Sequence, residues 1–563
     1  MGDSVKHLLP VEFMLKFLKT ITQNNSHRRL FHVTVILSLI YAIINRRRKQ
    51  RALQANPARG LPLPPGPWGW PILGIMPSLA GGKPHHVLTE MSKTYGPIMS
   101  FMMGSFRTVV LSDYDLIKEA FAKSGDKFSD RPKVFMFENI HPAGAGVVLN
   151  YYETGNWKDN RRFTLRALRK LGMGKAAMME DRIIEEAGFV IRSFDQQQGR
   201  PFRSCDFTNL AVANMINSLV FGKRADYDDP VFLEVITKML DLFKHLGVCL
   251  FNFIPMMKYL PGSGYWETAK IPKFFEDMWY RPHVMEHVKT FNANHIRDFV
   301  DAYLHEHFLK EGSHYHYDDA AAMGAVGDVF GAGLETTSVA LDWVIMCLTK
   351  YPEVQEKAQR ELDEVVGRHR MPQWADRQNL HYVMAMLDEV MRWSAGGPFG
   401  VPHSPIEDTE FRGYFIPKGA VVIPNLHAVM HNPDVFPDPG AVKPERFLNS
   451  DGKFVKHEHM SQFSVGRRAC VGEHLARMEI YTIVTHIIHT FTLRAPNGDT
   501  DSIRTEGIMG LSKNPCPYKL CAIRRTDTYD VTEIPMDLLS DDNNNNNTLD
   551  SNNNNNEAKH CVH

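Results

Sequence analysis

The stretch Phe463-Ser-Val-Gly466-Arg-Arg468-Ala-Cys470-Val-Gly472 constrains this chain more than any other. One cysteine stands in a glycine-flanked loop just ahead of a helical pattern. That pattern runs from Val471 to His489, with Leu475, Met478, Ile480, Ile483, Val484 and Ile487 spaced as a buried face. At a helix start the dipole favours thiolate over thiol. Gly466 and Gly472 let the backbone approach something large and flat with no Cβ in between. Arg468 is a cation placed to meet an acidic group on that object. A haem whose iron takes a cysteine thiolate meets all of these requirements. The bland alternative is a structural cysteine in a glycine-rich turn.

Other stretches narrow the choice. A helical pattern from about Asp318 to Lys350 carries Gly331-Ala-Gly-Leu-Glu-Thr-Thr337. Each glycine inside a helix costs about 1 kcal/mol relative to alanine, so a run of small residues followed by an acid and a hydroxyl is better explained by room for a ligand. Ala332 and Thr336 stand one turn apart on that face. Glu389-Val-Met-Arg392 pairs opposite charges at i and i+3, and Pro444-Glu-Arg446-Phe447 follows just ahead of the cysteine loop. Trp157-Lys-Asp-Asn-Arg161, Phe128-Ser-Asp-Arg131 and Val401-Pro-His403 hold further cations and a ring donor. Lys158, Arg162, Arg166, Arg169 and Lys170 share the helix of Arg161. They form either a solvated face or a docking surface for an acidic partner.

The chain divides by texture. Residues 1–29 include an amphipathic stretch, Leu8 to Ile21, suited to a membrane surface, and the sequon at Asn24. An apolar run, Leu30 to Ile44, is followed by Arg46, Arg47, Arg48, Lys49 and Arg51. Residues 30–45 are therefore expected to be a membrane anchor, with the cationic side and everything after it cytosolic. Residues 46–71 combine this stop-transfer cluster with the stiff, proline-rich linker Leu61 to Pro71. From 72 to 525 long helical patterns dominate. Thr108 to Leu111 reads as a strand before a helix capped by Ser112 or Asp113. Phe411 to Ile416, a turn at Pro417-Lys-Gly419 and Ala420 to Ile423 read as a hairpin. Residues 526–563 hold two runs of five asparagines and are expected to be a disordered tail.

Lysine plus arginine equals aspartate plus glutamate at 64 each, which argues against nucleic acid as a global partner. The seven cysteines are scattered and lack metal spacing, as in a reduced compartment. His305, His307, His314 and His316 alternate at two-residue spacing, share no helix face, and read as a solvated loop.

Together, F-x-x-G-x-R-x-C-x-G, small-Gly-x-acid-Thr, E-x-x-R with P-E-R-F, and W-x-x-x-R resemble the cytochrome P450 family, in that family's order, over about Leu61 to Arg525. The stretches Asn160 to Gly174 and Asn214 to Asp229 look like the animal microsomal group that contains drug-metabolising members and the steroid 17- and 21-hydroxylases. Trp393 after Arg392, the run Ala395-Gly-Gly-Pro398 and the asparagine tail depart from that group.

The resemblance implies a mainly α fold, a helix-rich prism with small peripheral β-sheets behind an N-terminal membrane anchor. It implies a haem bound through Cys470, in a loop with Phe463, Gly466, Arg468 and Gly472, its propionates met by Trp157, Arg161, Arg131, His403 and Arg468. Thr336 and Glu335 would handle protons in catalysis, and Glu389, Arg392 and Arg446 would be structural. Ala332, Gly333, Val401 and Met509 would line the substrate pocket, within the wider stretches Ala325 to Thr336, Gly396 to Val401 and Ile508 to Leu511. The implied activity is monooxygenation of a steroid, fatty acid or xenobiotic with O2. NADPH–cytochrome P450 reductase would supply the electrons, with cytochrome b5 a second candidate partner, at the endoplasmic reticulum membrane and in contact with lipid. Two alternatives stand beside it: a peroxide isomerase or dehydratase of the same fold that needs no reductase, and a non-enzymatic haem protein.

Overall fold

The computed structural model describes residues 60–525 apart from 141–145, 153–156, 174–175, 247–251, 261, 263 and 311–318. The expected anchor and the basic cluster behind it, the asparagine tail, His314, His316, Cys249 and Cys561 lie outside the described residues.

Among the described residues, eleven helices have ten or more residues: α1 Pro84–Tyr95, α2 Trp157–Leu168, α3 Ala176–Asp195, α4 Cys205–Phe221, α5 Pro230–Leu246, α6 Arg281–Thr290, α7 Phe299–Lys310, α8 Asp319–Lys350, α9 Pro352–Val365, α10 His381–Ser394 and α11 Glu473–Thr490. The long α8 is the axis. It packs on α4, α10 and α11, and its C-terminal half is buried on all sides from Leu341 to Thr349, except at Asp342. Helices apolar all round belong in a core, and α4 behaves likewise until Gly222 ends it in the left-handed region. Segment Ala322–Lys350 is long and apolar enough to cross a membrane, but here it is mostly buried in the protein.

The strands form small sheets at the periphery. β1 (Ile98–Met103) pairs antiparallel with β2 (Phe106–Leu111), which pairs in parallel with β5 (Val421–Pro424). β3 (Thr409–Phe411) with β4 (Tyr414–Ile416), β6 (Phe491–Arg494) with β9 (Cys521–Arg524), and β7 (Gly507–Met509) with β8 (Lys513–Pro515) form antiparallel pairs. This is the mainly α prism with peripheral sheets that the motifs imply. Asp113 caps the helical turn after β2, accepting from the Leu116 amide at 3.1 Å. The proline-rich run is docked and not only a spacer: Ser100 of β1 donates to Pro65 at 2.7 Å, and Phe415 of β4 to Pro62 at 2.9 Å.

Two local expectations fail. The hairpin lies one turn earlier than read. Arg412 (φ +50°) and Gly413 (φ +77°) are both left-handed, the pattern of a tight two-residue turn, and they join β3 to β4. The Pro417–Gly419 turn instead sends the chain into the other sheet, where β5 finds β2. His305 and His307 fall in helix α7 and not in a loop, because Val300, Tyr303 and Leu304 bury one face of it.

Glu389 and Arg392 of α10 are fully buried. Arg392 Nε and Nη2 donate to Glu389 at 2.7 and 2.9 Å, and its other donors reach the carbonyls of Met430, Pro439 and Ala441. All five guanidinium N–H groups are thereby used. Glu389 also accepts from the Lys443 amide at 2.8 Å and from Arg446 Nε at 3.3 Å. Trp393 bonds the same segment through Gly440 at 2.8 Å, which accounts for an indole at that position. This network pins residues 430–446 to α10. Breaking a buried pair from one side costs about 3–5 kcal/mol. Glu389→Ala is expected to lower the unfolding midpoint sharply and deplete folded protein, measured by thermal unfolding against Lys93→Ala, whose ion pair with Glu90 is exposed.

Candidate active site

The cysteine loop is closed by the Cys470 amide, which donates to Phe463 at 2.9 Å, and α11 begins directly after Gly472. Half-buried Phe463 carries the Arg477 guanidinium 5.1 Å from its ring centroid. The two glycines do different jobs. Gly466 has φ +81°, and a Cβ there would lie 1.9 Å from the Phe121 carbonyl oxygen. It is required by the helical turn Glu119–Lys123 behind the loop, and not by a ligand as the spacing implied. Around Gly472 only the Cys470 sulfur lies within 4 Å of a Cβ, so this position is open.

The Cys470 side chain is exposed by surface area, yet burial pushes its thiol up. A sulfur facing an enclosed space has both properties. The amides of Gly472 and Glu473 and the charge of Arg161 pull the other way without prevailing. The helix-start amides thus act in the expected direction, towards thiolate, against the opposing effect of burial. Desolvation wins, and it is coordination to a metal that strips such a proton.

Two buried arginines, a half-buried one and two buried rings border the loop. Arg468 donates to the carbonyls of Ser129, Val147 and Asn150 at 2.9, 3.1 and 2.7 Å, and lies 4.0 Å over the Trp157 ring. Trp157 Nε1 donates to the same Val147 carbonyl at 3.1 Å. Arg161 of α2 bonds Ala469, next to the cysteine. Arg131 bonds Val148, Val401 and Pro402. His403 donates from Nδ1 to Phe128 at 2.8 Å and stacks on Phe121 at 3.7 Å. Burial, followed by Arg131, holds the His403 imidazole well below its ordinary range. Burial, with Arg131 next, brings Arg468 down to about 7, and burial brings Arg131 to about 9. A guanidinium keeps its proton in a protein, so the site's deficit is one of negative charge. Asp130 and Asp328 favour the charged arginines but are two against three. The five residues read from sequence as propionate partners are thus brought together, and what the cluster lacks is an anion.

Helix α8 supplies the facing wall. Ala332 and Thr336 are exposed in the middle of a helix whose Gly331, Leu334, Glu335 and Thr337 are buried. Asp328, one turn earlier, accepts from the amides of Val147 and Val148 at 2.5 and 2.7 Å, tying this helix to the segment that Arg468 holds. Thr336 Oγ1 donates to Ala332 at 2.8 Å. Gly333 does not share the open face: a Cβ there would stand 2.4 Å from Ile216 Cδ1, so its smallness admits α4 and not a ligand. Glu335 turns away from Thr336 and accepts from Ser512 Oγ at 2.8 Å, while its Oε1 is buried with no partner. Burial pushes this carboxyl up to about 7. Val401 and Met509 are half-buried. Met509 opposes Lys513 across β7–β8, whose turn docks on α5 through Leu511 to Phe243 at 2.8 Å.

The donor set fits a thiolate-ligated haem: an open sulfur, an open glycine beside it, cations short of an anion, and a bare helix face opposite. Sequence reasoning missed Asp328, Ser512 and the Phe121–His403 stack. Their partners lie far away in the chain, and no local pattern marks them.

Comparison with known proteins agrees. The family model "Cytochrome P450" matches residues 64–522. Cytochrome P450 2C39 of Mus musculus is 37% identical over 472 residues, covering 82% of this chain and 94% of that protein. Cytochrome P450 2C25 of Mesocricetus auratus is 36% identical over 500 residues, covering 87% and 98%. Cytochrome P450 2H1 of Gallus gallus is 36% identical over 469 residues, covering 82% and 94%.

The glycine geometry separates two outcomes. Gly466→Ala adds backbone overlap to a left-handed strain that costs on the order of 1–3 kcal/mol, and is expected to lower the unfolding midpoint even without cofactor. Gly472→Ala is expected to leave the cofactor-free midpoint unchanged and to alter only the cofactor content of the loaded protein. For Glu335, a folded pKa raised from 4.5 to about 7 means that its stabilising effect is complete below the ordinary carboxyl range and is lost as pH rises through 7. The loss is on the order of 3 kcal/mol between pH 5 and 8, and Glu335→Gln should flatten that slope in denaturant unfolding.

Proposed function

The chain belongs to the cytochrome P450 family, and from that premise we propose which substrate, electron source and membrane its site serves. The protein is a haem-thiolate monooxygenase. In the proposed reading it acts on an apolar small molecule of the steroid, fatty acid or xenobiotic kind. Electrons come from NADPH through a separate reductase, with cytochrome b5 as an auxiliary donor. The anchor at 30–45 makes it single-pass in the endoplasmic reticulum membrane, with the domain from 72 to 525 in the cytosol.

The observation that carries the reading is the exposed Ala332–Thr336 face on an otherwise buried helix, joined through Asp328 to the arginine cluster at the cysteine. Haem bound through Cys470 supplies the iron chemistry that activates dioxygen. The residues do the rest. Arg131, Arg161 and Arg468 orient and neutralise the propionates through charge-assisted bonds, while Trp157 and neutral His403, whose N–H groups go to Val147 and Phe128, pack beside them. Ala332, Val401 and Met509 shape the apolar space. Thr336 spends its own proton on the Ala332 carbonyl, so its oxygen is free to accept a proton donor. Glu335 holds a proton near neutrality at an oxygen with no other partner. Its contact with Ser512 routes proton supply by way of the β7–β8 turn.

Two surfaces support the partners. Lys158, Arg162, Arg166, Arg169 and Lys170 are exposed on and just after α2, the helix whose Arg161 touches Ala469. Arg162 pairs with Asp159 and Arg166 with Glu306, so Lys158, Arg169 and Lys170 carry most of the attraction for an acidic donor protein. Trp68, Trp70 and Ile72 are exposed, as are Met256, Tyr259, Leu260 and Trp266. Both stretches dock on the β1–β2 turn, through Gly104 to Leu73 at 3.1 Å and Ser105 to Phe253 at 2.9 Å. One apolar, tryptophan-rich edge following an anchor suits the lipid interface.

The test is reconstitution with NADPH–cytochrome P450 reductase and a panel of lipids, steroids and drugs, scored by displacement of the iron-bound water and by oxygenated product. NADPH-dependent product is expected, and Cys470→Ser should abolish both it and the thiolate signature of the reduced, carbon monoxide-treated protein. Turnover of a hydroperoxide without NADPH, and of nothing with it, would overturn the reading. Arg169→Glu with Lys170→Glu should raise the KM for reductase about tenfold or more at low salt, with little change at high salt.

A further inference from the structure

Four histidines gather far from the cysteine in sequence. His85 and His86 open α1, behind Pro84 at its first position. His427 lies in the short helix Leu426–Met430 that follows β5, and His431 directly follows that helix. Ring centroids are 4.5 Å apart for His85 and His86, 4.8 Å from each of these to His427, and 4.1 Å from His427 to His431. One ring nitrogen from each of His85, His86 and His427 falls within 4.8 Å of the others. We propose that His85, His86 and His427, backed by His431, form a second metal site, separate from Cys470, for a borderline divalent ion of the zinc type.

The hydrogen bonds fix the rings as metal ligands are fixed. Thr89 Oγ1 donates its only proton to the His85 carbonyl at 2.8 Å, so at 3.2 Å it must accept from His427 Nδ1. That leaves the lone pair of His427 on Nε2. His431 Nδ1 faces the His427 carbonyl at 3.2 Å, which cannot donate, so His431 also keeps its lone pair on Nε2. His85, 2% exposed, has a buried Nδ1 with no partner. An outer ring N–H given to a hydroxyl or carbonyl is the usual support of a ligating histidine. Imidazole sets suit zinc, copper, nickel and cobalt. Zinc–nitrogen bonds of about 2.0–2.1 Å require donors about 3.4 Å apart in a tetrahedral site, so the rings close by an ångström or so on binding, and exposed His86 is free to move.

Charge around the cluster is uneven. Lys513 of β8 acts on all four rings, Lys83 on His85 and His86, and Arg392 on His431, with Glu90 the acid beside His86. Burial, then these cations and the rings themselves, keep the imidazoles neutral, the form that binds metal. Lys513, itself brought down to about 8 by burial, is the natural competitor for the ion. A bound ion would clamp α1 to the segment after β5 and so lock the edge of the β1–β2–β5 sheet.

The probe is Zn2+ added to chelator-treated, haem-loaded full chain, followed by competition with a chromophoric chelator. The unsubstituted protein should hold one equivalent at least tenfold more tightly than His86→Ala. Thr89→Val should weaken that equivalent about 10–100-fold, and Lys513→Met should tighten it. The reduced, carbon monoxide-treated spectrum should be the same in all of them, which separates the site from the cysteine. Equal zinc binding by the unsubstituted protein and His86→Ala would overturn the proposal. Should a variant fail to fold, the zinc-edge X-ray absorption of the unsubstituted holoprotein decides. A shell of histidine nitrogens supports the site, and a shell of oxygens alone overturns it.

Discussion

Two guanidiniums held out of water against neutral carbonyls, with a third half-buried beside them, are the constraint on which the active site rests. Arg131, Arg161 and Arg468 converge beside a loop whose sulfur faces open space, and Asp130 and Asp328 do not match their charge. Buried charge is expensive unless it is paired. A dianionic partner in the gap would offset that cost, and in the reading proposed above the propionates of a haem are that partner. In that reading, assembly of the site and loading of the cofactor would be coupled. The cations hold residues 147–150 and 401–402 in place, and in the proposed reading the cofactor would offset the electrostatic cost of doing so.

The contrast with the other buried charge cluster is instructive. Arg392 has every N–H group satisfied and a carboxylate in van der Waals reach, and it needs nothing further. Its work is finished when the chain folds. Arg468 also uses backbone carbonyls, but its nearest formal charges are other arginines and a pair of aspartates it does not bond. Satisfied hydrogen bonds with unsatisfied charge distinguish a binding site from a structural pin, although both motifs look alike on paper.

Much of this was legible in the sequence because it is local. Periodicity gave α8 and α11 nearly to their ends, and Asp113 marked its own helix. The Cys470 loop, Trp157 with Arg161, and Glu389 with Arg392 are short patterns whose partners lie within a turn or two. What sequence reasoning lost was set by distant neighbours. The Pro417 turn looked like the hairpin because Arg412 hides a left-handed turn that glycine alone usually advertises. Gly466 and Gly333 were credited to a ligand, when Phe121 and Ile216 demand them. The thiolate preference of a helix start is real, but desolvation outweighs it here. His427 and His431, four apart, carried a readable spacing. Nothing local links them to His85 and His86, and only the fold places the two pairs together.

Glu335, placed in proton supply by the proposed reading, is another such exception. A carboxyl with one oxygen on Ser512 and the other buried and unpartnered is a poor choice for stability, since an unmade bond of this kind costs about 1–3 kcal/mol. An alanine or leucine would serve the core better. The same burial that makes the residue costly also lifts its pKa to about 7, where protonated and ionised forms are comparably populated near neutral pH. The next residue, Thr336, is one of the few exposed positions on the inner stretch of α8. A locally unfavourable acid adjoining an uncovered hydroxyl is difficult to explain as packing and simple to explain as proton supply. The helix tolerates the pair because Leu341 to Leu348, further along, anchor it deeply enough to carry the cost.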